Sequence, residues 1–279
     1  MTGLRIEPSG AACGARVTGL DLRRPLPDAT VAELRAAWVE HAVLAFPGQR
    51  IDDDDLERFT LAFGAFGDDP FIAPVPGRRH VIAVSRAADE TAPLFAENWH
   101  SDWSFQAVPP AGTCLRSLVV PPTGGDTLFA DQRAAWDAMP AGLRARCEGV
   151  VALHSAGTAY APDGFYGAGD KGRSMDIRPA EEARAVQRHP LIRRHRENGR
   201  EAIYGTVGYI VGLEGAEQPQ ALLAEVYAWQ TQERFVYRQV WEPDMLIMWD
   251  NRSVLHRATG GYEGHARLLH RTTIGDTVF

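Results

Sequence analysis

The chain has 279 residues, 45% of them hydrophobic and 23% charged. That is too apolar for a disordered segment and long enough to bury a large core. Its 29 basic against 36 acidic residues leave a net charge of -7, which argues against a grip on nucleic acid or an anionic membrane. Cys13, Cys114 and Cys147 form no CxxC pair, so neither a disulfide scaffold nor a cysteine-rich zinc site is expected. The first residues lack a basic-then-apolar signal pattern, and no apolar run approaches the ~20 residues of a membrane span. The expectation is one cytoplasmic domain over residues 1–279, with homo-oligomerisation left open. Lys171 is the one lysine among the basic residues, an arginine bias that reads as genome composition.

In chain order, Thr30-Val-Ala-Glu33 has capping-box spacing and opens a run through Leu34, Ala37 and Trp38. A short buried strand follows over 42–46. The acidic run Asp52 to Asp55 lacks the Gly and final Glu of a calcium loop and reads as a helix N-terminus. Strand-like runs then dominate: 81–84, 114–120, 127–130, 150–154, 191–195, 202–204, 235–241, 245–249 and 267–274. Helical stretches interrupt them near 132–147 and 219–232. Short strands punctuated by Gly and Pro predict a mainly β, jelly-roll-like barrel with helical decoration rather than a doubly wound sheet.

Several motifs carry no chemistry. Gly167-Ala-Gly169-Asp-Lys-Gly172 has GxGxxG spacing, but no strand precedes it and no helix follows, so it reads as a loop. Nucleophile-elbow, HExxH and phosphate-loop motifs are absent. Arg193, Arg194, Arg196 and Arg200 read as a solvated edge. His41, His80, His154, His189, His195 and His265 lack ligand spacing.

Two segments survive. His100 and Asp102 stand two residues apart, and on a strand such residues share a face. Met245 to Trp249, a turn and His256 then supply a second imidazole. Two histidines and a carboxylate with positions left open suit non-haem Fe(II), whereas a closed structural zinc site would ask for a fourth ligand. Arg267, Leu269 and Arg271 share a strand face, so two guanidiniums enter the barrel together. Buried guanidiniums need anions, either a dicarboxylate co-substrate or internal Asp and Glu.

The stretches GARVTGLDL (14–22), NWHSDWSF (98–105), PPTGGDT (121–127), Trp249-Asp-Asn-Arg-Ser-Val-Leu-His256 and Arg267-Leu-Leu-His-Arg271 together resemble the taurine/2,4-dichlorophenoxyacetate dioxygenase (TauD/TfdA) family over nearly the whole chain. That resemblance implies a double-stranded β-helix, a cupin-like jelly roll. It also implies Fe(II), 2-oxoglutarate and O2 as cofactor and co-substrates. By the same likeness His100, Asp102 and His256 are iron ligands, and Thr127 and Arg267 hold the distal carboxylate of 2-oxoglutarate. Arg271 contacts an acidic group of substrate or co-substrate, and Trp249 lines the pocket.

The family's taurine members carry a histidine in the loop after the second helix and an asparagine shortly before the HxD motif. This chain has Asp68-Asp69-Pro-Phe71 and Ala96 there, which turns the expectation from taurine toward a largely apolar carboxylate. Such substrates include aryloxy-alkanoates and secondary-metabolite acids, with a sulfonate as the alternative. Trp103, Phe71, Tyr160, Phe165, Tyr166 and Tyr209 are the candidate walls, and the stretch carrying Tyr160, Phe165 and Tyr166 is a candidate lid. Two other classes stay open at this point: a zinc hydrolase or isomerase on a cupin-like barrel, and a binding protein that has lost its chemistry.

Overall fold

The computed structural model describes residues 3–168 and 172–276. In the stretch from Gly167 to Gly172, Gly169, Asp170 and Lys171 lie outside the described residues. The chain opens with β1 (Arg5–Pro8) and β2 (Ala15–Thr18), an antiparallel pair that the sequence reading did not separate from its surroundings. Helix α1 (Asp28–His41) starts on Pro27, so Thr30 is already inside it and the expected cap at Thr30 does not form. Pro27 holds the extended backbone of a cap without a side-chain bond. Ala42 ends the helix with a left-handed φ of 60° and turns the chain into β3 (Val43–Phe46). A capping box sits instead at α2 (Asp53–Phe63), where Asp52 and Asp55 bond each other's backbone N–H.

Next come β4 (Ile82–Arg86), β5 (Gly112–Val119) and β6 (Thr127–Asp131). The long helical stretch expected after β6 is two short helices, α3 (Gln132–Asp137) and α4 (Ala141–Cys147). Pro140, which cannot donate to a helical hydrogen bond, separates them. The lateral part holds β7 (Val151–His154), α5 (Gly157–Tyr160), α6 (Phe165–Ala168) and β8 (Gln187–Pro190). It continues with β9 (Ile192–Arg194), β10 (Glu201–Ile203), β11 (Ile210–Glu214) and α7 (Pro219–Gln230). The chain closes through β12 (Val236–Gln239), β13 (Leu246–Asp250), β14 (Val254–Ala258) and β15 (Arg267–Ile274).

Seven strands form the major sheet in the order β1-β2-β3-β13-β5-β15-β4, and β12-β6-β14 form a smaller facing sheet. Alternation sorts each strand's side chains between two cores. Leu246 and Met248 of β13 pack with Trp38, Phe59 and Phe63 under α1 and α2. Ile247 and Trp249 of the same strand enter the inter-sheet core with Leu115, Phe129 and Leu269. This is the expected jelly roll. A third core, including Trp136, Leu213 and Leu222, holds the lateral sheet against α3 and α7. An aromatic cluster with Phe71, Trp103, Phe105, Tyr160 and Tyr209 lies beside the barrel. All three cysteines are buried and unbonded. No described helix is long and apolar enough to cross a membrane.

Candidate active site

β14 turns His256 inward, and β15 does the same for Arg267, Leu269 and Arg271, with half-buried Leu268 and His270 alternating between them. His100 and Asp102 arrive differently from the expected strand. Only His100 pairs, in a two-residue bridge where each backbone N–H meets the other's carbonyl: His100 N to His256 O at 3.0 Å, His256 N to His100 O at 2.8 Å. The chain then leaves the ladder in a turn whose residue Trp103 has φ 49°. That turn brings Asp102 back beside the two imidazoles.

The donor atoms converge. Asp102 Oδ1 lies 3.7 Å from His100 Nε2 and 3.6 Å from His256 Nε2. Those gaps are too long for hydrogen bonds. They are short enough for one ion, since ligand bonds of about 2.0–2.2 Å reach two donors at once. Among the described residues this is the one cluster of His, Cys, Asp and Glu with that convergence. His100 Nδ1 sits 2.9 Å from the carbonyl of Asn98, which fixes its proton there and leaves the lone pair on Nε2. Burial lowers the pKa of both rings, to about 3 for His256, so both are neutral donors at pH 7. For Asp102, burial opposes ionisation, but the neighbouring His256 and His100 rings, the Arg271 guanidinium and the Thr113 hydrogen bond outweigh it and hold the carboxyl below its usual range.

Asp102 Oδ2 is tied back by a chain that the sequence reading missed. Thr113 Oγ1 donates to it at 2.6 Å, Asn251 Nδ2 donates to Thr113 at 2.9 Å, and Trp249 Nε1 donates to Asn251 at 2.9 Å. Asn251 was visible inside the Trp249–His256 motif, whereas nothing local marks Thr113.

An inner cavity collects Thr127, Trp249, His256, Arg267 and Arg271 with His100. Arg267 is 7% exposed, and its side chain lies 5.7 Å over the Trp241 ring but makes no hydrogen bond or ion pair with another described residue. Burial lowers its pKa to about 10, with Tyr262 and Asp126 opposing that shift, so it stays cationic at neutral pH. Thr127 Oγ1 accepts from Trp241 Nε1 at 3.0 Å, which leaves its own hydrogen to donate. The glycines of the 121–127 loop make this packing possible. A Cβ on Gly124, at φ 71°, would meet the Gly261 carbonyl oxygen at 2.5 Å, and one on Gly125 would press on the Arg267 side chain at 3.3 Å.

Arg271 lines the same cavity, and two carboxylates of the chain already meet it. Its Nη2 pairs with Asp69 and its Nη1 lies 3.5 Å from Asp102 Oδ1. Beside His100 opens a cavity of about 400 Å³ whose walls include Phe95, Trp99, Tyr160, Phe165, Tyr166 and Tyr209. Tyr160, Phe165, Tyr166 and Tyr209 thus line one cavity. Phe71 and Trp103 are not among the lining residues. Phe71 stacks behind Tyr160 at 5.1 Å, and Trp103 Nε1 donates to Asp69.

The donor set and the unpaired cation fit an iron ion with a dicarboxylate beside it. The family model described as "Taurine catabolism dioxygenase TauD, TfdA family" matches residues 5–273. The chain is 36% identical to the alpha-ketoglutarate-dependent 2,4-dichlorophenoxyacetate dioxygenase of Cupriavidus pinatubonensis, over 95% of each chain. It is 31% identical to the alpha-ketoglutarate-dependent sulfate ester dioxygenase of Pseudomonas putida, over 99% of this chain and 90% of that one. The crystal structure of AAD-2 with Mn(II) and N-oxalylglycine superposes with a TM-score of 0.79 at 28% identity, over 99% of this chain and 98% of that one. The chain belongs to the TauD/TfdA family of Fe(II)- and 2-oxoglutarate-dependent dioxygenases.

Proposed function

We propose that His100, Asp102 and His256 hold Fe(II), that Arg267 and Thr127 bind the distal carboxylate of 2-oxoglutarate, and that the enzyme oxidises an unactivated C–H bond of a small, largely apolar molecule in the aromatic cavity beside His100. Bound iron and 2-oxoglutarate would supply the activation of dioxygen, with succinate and CO2 released. The chain supplies the rest. Thr113 holds Asp102 Oδ2 so that Oδ1 faces both Nε2 atoms, and the Asn98 carbonyl holds the proton of His100 on Nδ1. Arg267 fixes one end of the co-substrate through its planar fork. Phe95, Tyr160 and Tyr166 wall the reacting volume against water.

The observation that carries this reading is the buried, unpaired Arg267 in the same cavity as the three convergent donors. A zinc hydrolase on the same barrel would leave that cation without an anion. The family match over residues 5–273 supports one domain, and the buried free thiols support a reducing, cytoplasmic setting. A carboxylate on the substrate, expected because Arg271 would meet it, loses that support because Asp69 and Asp102 hold Arg271.

The test is anaerobic addition of Fe(II) and 2-oxoglutarate. A weak visible charge-transfer band is expected with the native chain and is expected to disappear in His100→Ala and His256→Ala. A native chain without the band, or a mutant that keeps it, overturns the assignment. A substrate panel scored by coupled succinate release then identifies the molecule oxidised.

A further inference from the structure

Asp69 stands in the loop after α2, and its side chain is nearly as buried as that of Arg271, 8% against 5% exposed. It accepts the Trp103 indole N–H at 2.8 Å and pairs with Arg271 Nη2. The Trp103 ring in turn lies against the guanidinium, 5.0 Å from ring centroid to Cζ. A substrate carboxylate would need two N–H bonds from one edge of that guanidinium. Here Nη2 is engaged by Asp69 and Nη1 lies 3.5 Å from Asp102 Oδ1, which leaves Nε as the donor without a partner among the described residues. The arginine is therefore supplied with anions before any ligand arrives.

Charge balance points the same way. With Fe(II) and a doubly charged 2-oxoglutarate bound, the charges of Asp69, Asp102, Arg267 and Arg271 bring the site to neutrality. An anionic substrate would leave a net negative charge in a buried volume, which is costly without a partner. The 400 Å³ cavity offers no cationic partner. Among its described lining residues there is no Arg or Lys, and the formally charged one is Glu97. Without Asp69 the same site would carry one net positive charge and would welcome an anion.

We propose that Asp69 sets the charge class of the substrate: by occupying Arg271 in the inner cavity, which adjoins the aromatic one at Phe95, Ala96 and His100, it reserves the aromatic cavity for uncharged, largely aromatic or alicyclic molecules. This rests on the dioxygenase reading and separates the chain from the relative named for a phenoxyacetate, which is an anion. Asp69 acts through Arg271 as a positioning residue.

The test uses benzoate and its neutral isostere benzamide as probes, on enzyme loaded with Mn(II) and N-oxalylglycine, with binding read by calorimetry. Asp69→Asn keeps the oxygen that Trp103 needs and removes the charge. The variant is expected to bind benzoate at least tenfold more tightly than the native protein does, with benzamide affinity moved less than threefold. A smaller gain for benzoate, including no binding to either protein, overturns the proposal. So does a gain that benzamide shares, because that reports a reshaped cavity rather than a released charge. Asp69→Ser repeats the comparison should the asparagine variant fold poorly. Loading with Mn(II) and N-oxalylglycine is scored first by thermal shift. Failure there counts against the dioxygenase reading, whereas failure at the benzoate step counts against Asp69 alone.

Discussion

His100 and Asp102 each have one atom facing the ion site and another tied to the protein, whereas His256 Nδ1 is buried without a partner among the described residues; the ties are what the fold contributes. Thr113 is the clearest case, because its hydroxyl lies between Asn251 and Asp102 Oδ2. Thr113→Val keeps the volume and removes the bond. Metal affinity is expected to fall about 10- to 100-fold, the usual cost of losing such an outer partner. Titration with Mn(II) reads it, and unchanged affinity would show that Asp102 needs no tether. Arg267 is the second case. Arg267→Ala removes a charged hydrogen-bonding partner worth about 1.5–3 kcal/mol, so the 2-oxoglutarate Kd is expected to rise by roughly 10- to 150-fold. Arg267→Lys should recover only part of this, since a point charge lacks the fork. A saturation curve that does not move in Arg267→Ala would remove the arginine from co-substrate binding.

At the scale of elements, the turn from β13 to β14 decides where His256 points, and a buried ion pair clasps it. Asp250 Oδ1 accepts the backbone N–H and Nε of Arg252 at 2.8 and 2.9 Å, while His195 Nε2 sits 2.9 Å from Oδ2. Burial works against this carboxylate, yet Arg252 and His195 hold its pKa below the usual range. Its stabilisation is therefore present above the unfolded value near 3.9 and lost as pH falls through the lower folded value. Asp250→Asn leaves Arg252 with Glu197, 3.1 Å from Nη1, as its remaining carboxylate and should cost up to about 3 kcal/mol in urea unfolding at pH 7. A cost near zero would show that the turn holds without the clasp. The segment from Trp249 to His256 was legible because a buried strand, polar turn and histidine stand in one continuous stretch. The HxD segment was legible in its result but not in its geometry. Alternation places i and i+2 on one face of a strand, and here a left-handed Trp103 turn delivers Asp102 instead. Strand β11 went unread because Gly212 interrupts its apolar pattern at the register shift against β7.

Across the whole molecule, the jelly roll was legible because many short apolar runs leave few other ways to bury them. The partners that tune the site were not, since they come from distant loops. Asp69 reaches Arg271 across 202 positions and Thr113 meets Asn251 across 138. One more long-range contact joins the lateral sheet to the HxD turn: His154 Nδ1 lies 3.0 Å from Ser104 Oγ, next to Trp103, and the His154 and His189 rings meet edge to face at 5.2 Å. Burial lowers both pKa values, to about 3 for His154 and about 4 for His189. The unfolded chain takes up these protons below about pH 6.5, while the folded chain refuses them until about pH 4. The unfolded state thus binds more protons in that window, and stability falls as pH falls. Each histidine adds a slope of about 1.4 kcal/mol per pH unit there. His189→Gln should make the acid limb of a stability-against-pH curve shallower by up to that amount between pH 6.5 and 4. Equal slopes in the two proteins would mean that His189 charges within the folded state. Because the Ser104 contact follows Asp102 by two residues, the native protein should also lose metal before it loses its helical circular dichroism on acidification.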